Sequence, residues 1–112
     1  MGKFSRDKGA RFERELARIF RDALPGCDAK RGIQTRGGAA EMPDVTAGCF
    51  AIEAKAGKKP PVRAALKTAV DNCPKGLYPL AVIKEDRKPP FVVLPLDDFL
   101  EIAGEWWKWR TS

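Results

Sequence analysis

A chain of 112 residues with 44% hydrophobic composition has material for one domain with a modest core. Its 21 Lys and Arg outnumber 15 Asp and Glu, and the resulting charge of +6 favours a polyanionic partner such as a nucleic acid. Histidine is absent, which excludes imidazole bases, Ser-His and Cys-His nucleophiles and His-ligated zinc, and leaves chemistry to carboxylates, lysines or an oxygen-ligated metal.

Residues from about Asp7 to Leu24 predict a helix that stops at Pro25-Gly26. Phe12, Leu16, Ile19, Phe20, Ala23 and Leu24 follow helical spacing, with Arg11, Arg14, Arg18 and Arg21 opposite them. Glu13 is the misfit: at roughly 100° per residue it projects inside the apolar arc, whereas Glu15 falls outside it. A carboxylate on a buried face needs a cation or a metal; a place at the edge of the stripe, with water or an arginine as partner, is the plainer account. A strand is expected over Cys27–Thr35, then a small-residue loop, Arg36-Gly37-Gly38-Ala39-Ala40, that is either a close-approach surface or an ordinary connection.

Pro43–Thr46 and Cys49–Lys55 flank Ala47-Gly48, a two-residue hairpin turn. With that turn Asp44 sits opposite Ala51 and diagonal to Glu53, about 7–8 Å away on the same face. Strand alternation sends Phe50 and Ile52 one way and Ala51, Glu53 and Lys55 the other. Lys58 and Lys59 lead through Pro60-Pro61 into a second helix, roughly Val62 to Cys73, followed by an apolar strand from Leu77 to Lys84. A charged turn over Glu85–Pro90 precedes a strand over Phe91–Leu94, and Asp97 or Asp98 is placed to cap a last helix. The order is α-β-β-β-α-β-β-α, with no repeat, low-complexity tract or linker. In the Trp-rich end, Trp106, Trp107 and Trp109 fit three uses: packing on the core, a dimer contact or a base-stacking platform.

Cys27, Cys49 and Cys73 are odd in number and form no C-x-x-C pair, so they read as reduced, mostly buried small residues. No apolar run reaches the roughly 20 residues of a membrane span, and the first eight residues lack a signal-peptide core, so the expected location is the cytoplasm.

Glu13, Asp44, Glu53 and Lys55 are the parts that a Mg²⁺-dependent phosphodiester hydrolase needs: carboxylates to hold the cation and an ammonium for the transition state. Asp-x8-Glu-x-Lys alone is degenerate, and an exposed strand with a Glu-Lys pair is its plainer account. Pro43-Asp44 followed by Glu53-Ala54-Lys55 resembles the signature of the PD-(D/E)xK nuclease superfamily. The stretch Lys8-Gly9-Ala10-Arg11-Phe12-Glu13-Arg14-Glu15 resembles the opening helix of archaeal-type and phage Holliday junction resolvases.

The resemblance implies an α/β, restriction-endonuclease-like core, a central mixed β-sheet flanked by helices, spanning residues 1–112 as a single domain. It also implies a metal-dependent, structure-selective endonuclease acting on branched DNA, with the four-way junction as substrate. Asp44 and Glu53 would ligate Mg²⁺, with Mn²⁺ as a substitute, joined by the Ala54 carbonyl and by Glu13 directly or through water; Lys55 would orient water or stabilise the phosphate. Lys8, Arg11, Arg36, Gly37, Gly38, Lys58, Lys59, Arg63 and Lys67 are the expected DNA contacts, made to phosphates with little base readout. A homodimer in the cytoplasm of a prokaryote or a phage-infected cell is the implied setting. The loop Gly37-Gly38 lacks the serine expected near a resolvase metal site. A nuclease of the same fold acting on flaps, single strands or non-specific duplex remains open, as does a non-catalytic DNA-binding module.

Overall fold

Eight elements follow one another in the computed structural model, which describes residues 3–32 and 42–112, with side chains from Lys8 onward. They are α1 (Lys3–Ala23), β1 (Lys30–Arg31), β2 (Val45–Ala47), β3 (Phe50–Gly57), α2 (Val62–Asp71), β4 (Tyr78–Glu85), β5 (Phe91–Val93) and α3 (Leu96–Thr111). The order is the expected one. The strands form one mixed sheet in the order β1-β2-β3-β4-β5, with β3 and β4 parallel and every other neighbouring pair antiparallel. The parallel pair is joined by α2, as a crossover between parallel strands requires.

The sheet carries a core on each face. Toward α1, Leu16 and Ala17 pack against Val45, Ala47, Ile52, Leu80 and Val82. Toward α2, Ala65 and Ala69 pack against Ala81 and Ile83. Val45, Ile52 and Ile83 are fully buried. The helix stripe is turned slightly from the expected one: Ala17 is buried, while Ile19 and Leu24 are 38% and 41% exposed. α1 begins earlier than its polar start predicts and ends before Gly26, whose φ of +93° is the left-handed conformation in which glycine terminates helices. The strand expected over Cys27–Thr35 is paired only at Lys30–Arg31, where it reaches β2 at the sheet edge, and its last three positions lie outside the described residues.

The hairpin corrects the expected register by one residue. Ala47 pairs with Phe50, Thr46 with Ala51 and Val45 with Ile52, so the turn is Gly48-Cys49 and not Ala47-Gly48. Gly48 has φ +57°, and Cys49 is not among the left-handed residues. Glycine at the first of two turn positions is the pattern of a type II′ turn, whose twist suits a hairpin, and it sets the register. Ala51 therefore faces Thr46 and does not lie opposite Asp44. Cys49, in that turn, is exposed, against the expectation of burial, and all three cysteines are free.

α3 stands apart from both cores. Pro95 occupies its N-cap, and Asp97 and Asp98 lie in its first turn, where they complement the helix dipole but do not cap it. None of its residues is buried. Tyr78 Oη donates to Glu101 at 2.8 Å and ties the helix to the sheet, while Trp106, Trp107 and Trp109 are 56%, 63% and 73% exposed. Packing of the tryptophans on the core is thereby ruled out: the apolar side of this helix turns away from the body. No helix among the described residues is long and apolar enough to cross a membrane.

Candidate active site

A cleft of about 430 Å³ opens between the N-terminal half of α1 and the C-terminal end of β3. Lys8, Gly9 and Glu13 form one wall, Asp44 an edge, and Ala54, Lys55, Ala56 and Gly57 the other wall. Of the four residues singled out from the sequence, Glu13, Asp44 and Lys55 line it directly. Glu53 is not part of its lining; it is buried next to it in β3, with only 7% of its side chain exposed.

Helix geometry places Glu13 on the side of α1 that carries Leu16, Ala17 and Phe20. Its side chain is 14% exposed, whereas Glu15 points to solvent. The cation that offsets its burial is Arg31, whose Nε donates to Glu13 Oε1 at 3.0 Å. Burial raises the Glu13 pKa, the Arg31 hydrogen bond opposes that rise, and the charge of Asp44 adds to it.

The corrected hairpin register, extended one residue past Val45 and Ile52, sets Asp44 level with Glu53. Asp44 Oδ2 accepts the Ala54 backbone N–H at 2.9 Å, which continues the strand ladder through a side chain. Burial, reinforced by the Asp44 charge and opposed by Lys55, pushes the Glu53 pKa up to about 7. Lys55, two residues along β3 and on the same face, holds its Nζ 3.5 Å from Glu53 Oε2.

The structure thus brings Asp44, Glu53 and Lys55 together and turns Glu13 toward Arg31 at the facing wall. Among the described residues no three acidic or thiol side chains stand close enough to hold a metal ion. The donor chemistry of the Asp44–Glu53 pair nonetheless fits a hard divalent cation. Two carboxylates lie side by side with the Lys55 ammonium 3.5 Å from Glu53, and burial first, then the Asp44 charge, raises the Glu53 pKa, a penalty that a bound cation would relieve.

Two positioning residues escaped the sequence. Arg31 is the partner of Glu13; eighteen residues separate them, and no local periodicity links them. Gly32 donates its N–H to the Asp44 carbonyl at 2.8 Å, and a Cβ there would overlap the Pro43 carbonyl oxygen. Only glycine lets the chain come this close to the backbone that carries Asp44.

Among the expected DNA contacts, Lys8 lines the cleft and is paired with Asp86 at 3.0 Å. Lys58 and Lys59 follow Gly57 on exposed chain just beyond it. Arg63 and Lys67 are exposed on α2, Lys67 bound to Asp71 at 2.7 Å. Arg36, Gly37 and Gly38 lie outside the described residues.

No curated protein and no solved structure matches the chain. A family model does match: that of the archaeal Holliday junction resolvases (Hjc), over residues 4–69. The match covers more than half of the 112 residues, from α1 into α2, and takes in Glu13, Asp44, Glu53 and Lys55, while β4, β5 and α3 lie beyond it. With its mixed five-stranded sheet between α1 and α2, the chain belongs to the archaeal Holliday junction resolvase family, a family of PD-(D/E)xK-type nucleases.

Proposed function

We infer that the protein is a Mg²⁺-dependent, structure-selective DNA endonuclease whose substrate is the four-way junction. The observation that carries this reading is the buried Glu53 beside the half-buried Asp44 and Lys55, the latter two lining a cleft that Lys8 and Glu13 wall. Asp44 and Glu53 would hold the cation, with the Ala54 carbonyl and, through water, Glu13 completing its shell; Mn²⁺ would serve in its place. When bound, the cation acidifies the attacking water and draws charge from the scissile phosphate.

The protein's own groups do the rest. Asp44 is held by the Ala54 N–H, so its carboxylate is oriented before any ligand arrives. Lys55 is placed to donate to a phosphate oxygen as negative charge builds there. Arg31 fixes Glu13 against the cleft wall. Lys8, Lys58, Lys59, Arg63 and Lys67, with Arg36, Gly37 and Gly38, are assigned to the DNA backbone.

Two strands of opposite polarity must be cut to resolve a junction, and a two-fold pair of chains supplies two such sites. The apolar face of α3 supports a second copy as its occupant. Leu96, Phe99, Leu100, Trp106 and Trp107 form a stripe flanked by acidic residues in the first half and by Lys108 and Arg110 in the last turn. Two copies packed antiparallel would set each acidic half against the other's basic end.

The reading is tested by incubating the protein with a labelled four-way junction and with a linear duplex made from the same arms, with and without Mg²⁺. Cleavage of the junction alone, dependent on Mg²⁺ and absent in Glu53→Gln, is expected. Equal cleavage of the duplex would assign a broader nuclease, and cleavage without added metal or by Glu53→Gln would overturn the mechanism.

A further inference from the structure

A second cleft, of about 460 Å³, adjoins the first and shares Lys8 and Ala56 with it. Its apolar lining comes from Phe12 and Ile19 of α1 and from Ala56 and Pro90; its charged lining is net basic, with Lys8, Arg11, Lys84 and Arg87 against Asp86 and the exposed Glu15. Asp86 is neutralised by Lys8 at 3.0 Å. Arg11 and Arg87 form no ion pair among the described residues.

Arg87 is held in an unusual way. It is the single non-glycine residue with positive φ among those described, at 64°. Left-handed backbone costs a side-chain-bearing residue energy and persists where the surroundings impose it, most often at binding sites. Here the surroundings are explicit. The Lys88 N–H donates to the Glu85 carbonyl at 3.1 Å and closes the turn, and the Asp86 N–H donates to the Gly57 carbonyl at 2.9 Å. The Lys8–Asp86 pair ties the same turn to α1. The guanidinium of Arg87 is thus carried on a turn fixed to both walls of the candidate active site.

A net cationic lining beside an apolar one suits a phosphate joined to a flat apolar group. A paired duplex presents mostly phosphates and sugars at such a surface, since its bases are stacked inside. A nucleotide that has left its helix presents a phosphate and an unstacked base together, and apolar and aromatic surfaces hold such bases with little regard for sequence. We propose that this second cleft receives the nucleotide beside the cleaved phosphate on a DNA strand that has left its duplex, its base against Phe12, Ile19 and Pro90 and its phosphate between Arg11 and Arg87. The proposal rests on the nuclease reading of the neighbouring cleft and adds a reason for a preference for branched DNA over continuous duplex: at a branch point, where strands leave one helix for another, a nucleotide can unstack and enter.

The test measures DNA binding by fluorescence anisotropy in metal-free buffer, so that cleavage plays no part. Two DNAs of equal length are compared, one forked with an unpaired arm and one fully paired. Arg87→Gly preserves the turn, because glycine adopts positive φ without strain, and Arg11→Ala removes an exposed side chain; a thermal melt of each variant confirms the fold. Each variant should weaken binding of the forked DNA about ten-fold and lower its salt slope by about one, with less than about a two-fold effect on the paired DNA. An equal loss on both DNAs, or none on the fork, overturns the proposal. Wild-type protein that binds neither DNA would instead overturn the nuclease reading on which it stands.

Discussion

The Asp44 carboxylate accepts the Ala54 amide at 2.9 Å, one residue beyond the point where the β2–β3 register sets Asp44 level with Glu53. A side chain here does what a strand carbonyl would do further along. It leaves Asp44 oriented, with its charge directed at a buried glutamate. The arrangement costs stability in the absence of a cation, as functional sites commonly do.

Asp44→Asn separates these two effects. The amide oxygen can still accept the Ala54 N–H, but the repulsion on Glu53 is gone. In metal-free buffer above pH 7 the variant should be at least as stable as wild type by urea denaturation, while metal-dependent cleavage of a junction is lost and junction binding is retained. Asp44→Ala also removes the acceptor and should be less stable than Asp44→Asn by about 1–3 kcal/mol. Cleavage by Asp44→Asn at the wild-type rate would sink the metal-site assignment.

Glu53 gives stability a pH dependence of defined sign. Its folded-state pKa, about 7, lies above the ordinary glutamate value of 4.5. The folded protein therefore holds a proton that the unfolded chain has lost across that interval. The advantage of the protonated form is complete below about pH 4.5 and lost as pH rises through 7. Relative to Glu53→Gln, metal-free wild type should lose up to about 3 kcal/mol between pH 4.5 and pH 8. Added Mg²⁺ should restore most of the loss at pH 8. Denaturation midpoints of the two proteins, compared at each pH, read the effect directly; a constant gap would contradict it.

Gly32 is expected to be intolerant of a side chain although it makes no direct contact with a ligand. In Gly32→Ala the methyl meets the Pro43 carbonyl, and either that peptide or β1 must move. Overpacking of this kind costs about 1–3 kcal/mol, and the shift displaces the backbone that carries Asp44. The melting temperature should fall by several degrees. Cation affinity, measured by calorimetry, should fall further than in Gly9→Ala, where an added Cβ meets no neighbour. Equal affinities in the two variants would argue against a positioning role.

The α3 face should govern assembly. Leu100 is 54% exposed and lies in the stripe with Leu96 and Trp107, so a charge there disturbs no core. Sedimentation should find wild type as a dimer and Leu100→Glu as a monomer with an unchanged melt of the body. A monomeric wild type would overturn the two-fold assembly, and a dimer that survives the substitution would move the interface elsewhere.

What the sequence determined by itself are the relationships within single elements. Glu13 and not Glu15 shares the inward side of α1 because the helix repeat fixes both directions, and Glu53 and Lys55 share a face because a strand repeats every two residues. The element order, the helix stop at Pro25-Gly26 and the helix start at Pro60-Pro61 were legible for the same reason: each is set by backbone geometry over a few residues. Tertiary structure decided every relationship between elements. The type II′ turn at Gly48 moved Asp44 from diagonal to level with Glu53, because one residue of turn placement shifts a whole ladder. The sheet edge brought Arg31 to Glu13 and Gly32 against Pro43, contacts that no periodicity encodes. α3 carries the residues of a core helix yet stands clear of both cores, because whether an apolar stripe is covered depends on where the preceding chain leaves it. The fixed turn at Arg87 beside α1 is of the same kind. Periodicity says which way a side chain points along its own element, and only packing says what it meets there.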